Sequence, residues 1–320
     1  MTMQRLMEIF WNPEDRRLRA AVRLALHAGA LAILTPLIST VGTTVMPDAD
    51  TWGASLLTPQ WLVLMTFIAA GSFLVMYLMG RYVDRRQFSD FGWVLNRRWW
   101  QDLVFGFVLA FLLISIIFGL ELLFGWVKIT GYFVGEGNFA TTMISGFLFL
   151  IVAAIQEETI SRSYQLKNLA EGFSFLGQKR ALITATLFSS IGFGLMHLWT
   201  PHCSFQSIAN LTVAGAVYAF AFLITGRIGL PLGMHISWNF FEGLFYGFPV
   251  SGTVFDTKLM VIEQSGPELI TGGAFGPEAG IIRLPMLFLA LAAIYGWTKF
   301  QNRDDGQIPE KDMTTAERLQ

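Results

Sequence analysis

The feature that most constrains this chain is an alternation of charge-free apolar runs, each about twenty residues long, with short charged clusters. Wound as a helix at about 1.5 Å per residue, such a run matches the roughly 30 Å hydrocarbon core of a bilayer. In hydrocarbon, unpaired backbone groups are too costly outside helices or closed barrels. Strand-like alternation is absent from the runs, so they read as helices. Eight spans can be drawn, at about 20–46, 60–80, 100–127, 139–168, 180–200, 206–226, 228–247 and 281–300. The predicted fold class is all-α, a polytopic membrane helix bundle of about eight transmembrane helices. Composition agrees, because 14% of residues are charged where a soluble domain carries about 25%.

Lys and Arg in the short connections set the orientation. Arg16, Arg17 and Arg19 precede the first span, Arg81, Arg85, Arg86, Arg97 and Arg98 follow the second, Lys167, Lys179 and Arg180 follow the fourth, and Arg227 follows the sixth. The opposite loops hold Asp48, Asp50, Lys128, His202 and an acidic-leaning stretch from Phe248 to Gly280. Both termini are therefore expected on the cytoplasmic side of the cell membrane. The apolar run from Ala20 to Met46 is too long for a signal-peptide core and reads as a retained span. Before it, Asn12 as a cap, Pro13 at the first position and Glu14 and Asp15 behind predict an interfacial helix over 13–23.

The expected organisation is an interfacial segment over 1–19, a three-span region over 20–137 and a core over 138–250. An outer loop and last span follow over 251–300, then a tail over 301–320 too polar to bury a core. The lone Cys203 excludes an intramolecular disulfide and a cysteine-based metal cluster. A formal net charge of −1 with no basic stripe excludes an electrostatic nucleic-acid partner. The expected partners are the lipid bilayer and a membrane-associated protein or peptide.

Ionisable side chains inside spans are costly and mark candidate function. In the fourth span, Glu157 and Glu158 point about 100° apart. Glu158 stands four residues before Arg162, the favourable order for a helical ion pair, which leaves Glu157 to face something else. Read alone, both acids could equally be interfacial. In the fifth span, Ser189, Phe193 and His197 recur every four residues and share a helical face; a lone histidine near a span end is more often a packing residue. In the seventh, His235 and Asn239 share a face and require a partner or a cavity, and an interhelical hydrogen bond alone would satisfy that. Glu242, three residues on, reads as structural. The glycine-rich segment from Leu269 to Gly280 reads as a connector, with a lid as the alternative.

Taken in order, Glu157-Glu158-x-x-x-Arg162, Phe193-x-x-x-His197 and His235-x-x-x-Asn239 resemble the signature of the CPBP intramembrane proteases. That family includes the Ras-converting CAAX endoproteases and bacterial relatives linked to bacteriocin processing and immunity. The resemblance covers roughly residues 140–250, and it departs from many members at Ser163, where they have glycine. It implies an intramembrane endopeptidase in which Glu157 activates water, His197 holds that water, His235 and Asn239 donate to the oxyanion, and Glu158 and Arg162 orient the site. Relatives are described both as metal-free glutamic proteases and as metalloproteases. The resemblance therefore implies either no required cofactor, the preferred reading, or one zinc ion on Glu157, His197 and His235, although the HExxH motif is absent.

Two other functions fit the same residues: a non-catalytic immunity or scaffold protein of the family, and a transporter or proton-coupled channel with Glu157 and the histidines along its path. One geometrical tension also follows from the spans. Counted from the cytoplasmic ends, Glu157 and His197 lie roughly 20–25 Å deep and His235 only about 12 Å. The motifs can meet only if the Gly226–Pro231 stretch bends into the membrane or the spans begin deeper than drawn.

Overall fold

The computed structural model describes residues 10–13, 15–45, 57–135 and 137–304. Residues 1–9, Glu14, Asp48, Asp50 and the expected tail beyond Asp304 lie outside the described residues.

Polar residues start the helices where the charged clusters sit. α1 runs Ala20–Val45. α2, Pro59–Leu78, is capped by the Thr58 hydroxyl, which accepts from Trp61 N, and has proline at its first position. A π-helical turn, Met79–Asp84, extends it. α3, Arg97–Leu123, is capped by Asn96, and α4, Phe139–Glu158, by Asn138. α4 continues through a π-helical stretch, Thr159–Leu166, into α5, Lys167–Gly172. α6, Gln178–Leu195, and α7, Phe205–Thr225, form a hairpin, and Gly226 ends α7 in the left-handed region at φ 67°. α8, Gly229–Asn239, continues through a π-helical turn, Phe240–Phe245. A four-residue α9, Glu268–Thr271, precedes the last helix, α10, Arg283–Asp304.

The protein is thus a helical multi-pass membrane protein. Among the described residues, five helical segments are long and apolar enough to cross a bilayer: Ala20–Val45, Pro59–Asp84, Arg97–Leu123, Phe139–Gly172 and Phe205–Thr225. The other three expected spans fall on α6, α8 and α10, which are shorter or carry charge at their ends. Apolar side chains such as Ile33, Phe67, Val104 and Phe288 face outward, more than 60% exposed. Such a surface suits lipid rather than water.

Three expectations need correction. Residues 15–18, expected in an interfacial helix, are not helical: Trp11–Asn12 (β1) pairs antiparallel with Arg17–Leu18 (β2), and Arg16 has φ 51°. There Asn12 donates to Asp15 at 2.9 Å instead of capping a helix. The fifth span ends at Leu195, not near 200, so His197 lies on a turn beyond the helix. Thirdly, β3 (Val127–Val134) pairs antiparallel with β4 (Lys258–Gln264) in a ribbon where only loops were expected.

The core lies where α3, α7, α8 and α10 meet, around Ile114, Ala214, Leu230 and Ala290. Backbone approaches backbone between α3 and α8. A Cβ on Gly233 would stand 2.1 Å from the Leu103 carbonyl oxygen, and one on Gly106 would stand 2.3 Å from that of Leu230. Glycine is therefore required at both crossings, as in tightly packed membrane helices. Near the start of α1 a buried polar network joins α1, the π-helical extensions of α2 and α4, and α5. Arg23 donates to Asp84 at 2.6 Å and pairs with Glu171, and Tyr164 donates to Asp84 at 2.8 Å.

Candidate active site

Glu157 and Glu158 are the last two residues of α4, at the step into its π-helical stretch. Their environments differ as the helical angle requires. Glu158 is fully buried, whereas the Glu157 side chain is 28% exposed. Glu158 Oε1 accepts from Arg162 Nη1 at 3.0 Å and also from His235 Nδ1 at 3.0 Å. An ionised carboxylate can only accept, so this arrangement assigns a proton to Nδ1 and aims the other ring nitrogen elsewhere. That nitrogen, Nε2, lies 3.8 Å from Glu157 Oε2. Glu157 Oε2 is itself buried with no hydrogen-bond partner. One imidazole therefore stands between two carboxylates, bonded to the one that holds Arg162 and facing the one left open.

The depth tension bears on the irregular segments. From Phe139 to Gly172 the helical rod is 34 residues long, about 50 Å at 1.5 Å per residue, longer than a bilayer core is thick. α8 starts buried instead: Ile228 is fully enclosed, its N–H donates to the Gly92 carbonyl at 3.1 Å, and Gly229 abuts the Trp99 backbone.

His197 is brought near but not into the cluster. It is half-buried, its Nδ1 lies 3.0 Å from the Phe193 carbonyl oxygen, and its ring packs on Phe193 at 5.2 Å. Phe193 in turn lies 6.1 Å from the His235 ring. Among the described residues His197 makes no hydrogen bond or ion pair to Glu157 or His235. Asn239 is half-buried at the end of α8, one helical turn beyond His235. Ser163 is fully buried beside Arg162.

No group of three His, Cys, Asp or Glu among the described residues is arranged to hold a metal ion. The Phe193 ring lies between His197 and His235, so Glu157, His197 and His235 are not gathered as one ligand set among the described residues.

Of the groups around the cluster, Gly215, Tyr218, Glu278 and Arg283 carried no signal in the sequence. Arg162 is stacked over Phe193 at 4.1 Å and lies 5.2 Å from the Tyr218 ring. Its Nη2 donates to the Gly215 carbonyl at 3.4 Å. Ser189 ties α6 to the motif helix by donating to the Ser161 carbonyl at 3.0 Å. On the side of the β3–β4 ribbon, Glu278 accepts from Ser251 N and Oγ at 2.9 and 2.6 Å and pairs with Arg283, which stacks on Trp238 at 4.7 Å. Glu242 is buried near them without a well-formed hydrogen bond. The Leu269–Gly280 segment is pinned to α7, where Asn210 donates to the Ala279 and Gly280 carbonyls at 2.7 and 3.0 Å. A cavity of about 530 Å³ also lies on this side, lined by Lys258, Gln264 and Glu268 among others and by no motif residue.

Residues 138–241 match a family model described as Rce1-like, type II CAAX prenyl endopeptidase. The match spans about a third of the chain, from the cap of α4 to just beyond Asn239, and contains all seven motif residues. No curated protein and no solved structure gives a significant match.

Proposed function

On the premise that the chain belongs, through residues 138–241, with the Rce1-like CAAX endopeptidases, we propose that it is an intramembrane endopeptidase working by glutamate-activated water. The observation that carries this reading is the placement of His235 between Glu158 at 3.0 Å and Glu157 at 3.8 Å.

In this mechanism Glu157 Oε2, open and buried, takes a proton from water as the water oxygen attacks the peptide carbonyl. His235 donates through Nε2 to the developing oxyanion while Nδ1 stays on Glu158. To donate from both nitrogens it must be an imidazolium, and the flanking carboxylates supply the counter-charge. Asn239, one turn along α8, adds a second donor. When the tetrahedral intermediate collapses, the carbon–nitrogen bond breaks and Glu157 returns its proton to the leaving amine. His197 reaches the water only through Nε2, since Nδ1 faces the Phe193 carbonyl. Arg162 acts through Glu158 and touches no reacting atom.

The substrate is a membrane-associated protein or peptide, and the site faces the cytoplasmic half of a cell membrane. Comparison of membrane-proteome peptides from cells carrying the wild-type chain or Glu157→Gln tests the reading. Products that disappear with the variant identify the substrate. Identical peptide profiles with preserved partner binding identify a scaffold, and a flux in proteoliposomes that depends on Glu157 identifies a transporter.

A further inference from the structure

α7 carries no residue of the three motifs, yet two of its residues touch the buried cluster. Gly215 offers its carbonyl to Arg162 Nη2. One turn further on, Tyr218 lies with its ring centroid 5.6 Å from that of His235, inclined at 33°, and 5.2 Å from the Arg162 guanidinium carbon. Phe193 completes the enclosure, 4.1 Å from the same guanidinium and nearly perpendicular to His235 at 82°. Arg162 and His235 therefore share one carboxylate oxygen and two aromatic rings.

The bond from Nδ1 to Glu158 fixes one atom of the imidazole but leaves its plane loosely set, because the terminal torsion of histidine is broad. The direction of Nε2 depends on that plane. Tyr218 packs against one face of the histidine and offers its own ring to the guanidinium, an attraction that strengthens away from water. Tyr218 is 3% exposed, and its contacts to His235 and Arg162 are made by its ring. Its contribution is therefore that of the ring.

We propose that Tyr218 is a positioning residue for this site: its ring sets the plane of His235 and keeps Arg162 on Glu158, so that Nε2 is held towards Glu157. The kinetic consequence rests on the protease reading, while the positioning itself does not.

The test uses the full chain in liposomes with 15N-labelled imidazoles. The sequence has four histidines, and the signal lost in His235→Gln identifies the relevant one. Tyr218→Phe should keep a single His235 form with Nδ1 protonated and bonded to carboxylate. Tyr218→Leu should add a second tautomer population for His235 alone, a change far larger than the loss of a ring current. On a peptide whose cleavage requires Glu157, Tyr218→Leu should lower kcat about 10- to 100-fold with KM within about twofold, the cost of a small misplacement. Tyr218→Phe should stay within about twofold of wild type in both. A wild-type His235 tautomer pattern in Tyr218→Leu overturns the proposal, as does a Phe variant that behaves like the Leu variant. Should Tyr218→Leu not fold, Tyr218→Met replaces it under the same criteria. Absence of any cleavage by the wild-type chain defeats the protease reading and leaves the spectroscopic result to decide the role of Tyr218.

Discussion

Adjacent residues in the motif helix have different tasks because their surroundings differ. Glu158 is enclosed, paired with Arg162 and bonded to His235. Replacing it with Gln leaves a buried guanidinium without its counter-charge, a loss on the order of 3–5 kcal/mol. Glu157 has one buried oxygen with no partner, so Glu157→Gln should leave stability nearly unchanged while cleavage falls by roughly 10²- to 10⁴-fold, the usual contribution of a general base. Thermal unfolding in detergent measured beside cleavage separates the two; equal losses of stability in both variants would contradict this division. Much of this pairing could be read from spacing, since a four-residue separation places Arg162 over Glu158. The link from His235 to both glutamates could not, because 77 residues separate His235 from Glu158 and only the family resemblance joined them.

At the scale of the element, the site depends on how closely α8 lies against α3. Gly233 stands two residues before His235, and any Cβ there meets the Leu103 carbonyl at 2.1 Å. Gly233→Ala must push the helices apart, costing about 1–3 kcal/mol, and should also reduce cleavage by moving His235. Gly119, farther along α3, has nothing within 4 Å of an added Cβ. Gly119→Ala should be neutral or stabilise by up to about 1 kcal/mol through helix propensity. Unfolding temperatures of the two alanine variants check the contrast. Hydropathy located these helices well but not where they stop. α6 ends at Leu195 although apolar residues continue to Trp199, so His197 left the helical face that its spacing had predicted. The β3–β4 ribbon stayed hidden because its register joins Val127 to Gln264, a pairing that no local pattern encodes.

For the whole molecule, the arrangement of Lys and Arg predicts cytoplasmic termini, and this can be tested with single cysteines in a Cys203→Ser background. Glu263→Cys, on the β3–β4 ribbon, should react with a membrane-impermeant maleimide in intact cells. Phe175→Cys, 78% exposed between α5 and α6, should react only after permeabilisation, and the reverse pattern would invert the topology. Metal dependence is likewise a property of the assembled site. Because Glu157, His197 and His235 are not gathered as a ligand set, cleavage by purified protein should persist in full after chelation. Activity lost to chelator and restored by zinc would assign the metal reading instead.

Membrane residence, the approximate number of helices and the Glu158–Arg162 pairing are decided by the sequence alone. Each depends on local hydropathy or on the repeat of a single helix, which neighbours in the chain already specify. Convergence is decided only by the tertiary structure. It needed a long motif helix with a π-helical stretch, a buried start for α8 and glycines that let two backbones nearly touch. These bring His235 between two glutamates and enclose it with Tyr218 from a helix without a motif. Distances between helices depend on packing across the whole bundle, and no spacing along one chain segment contains them.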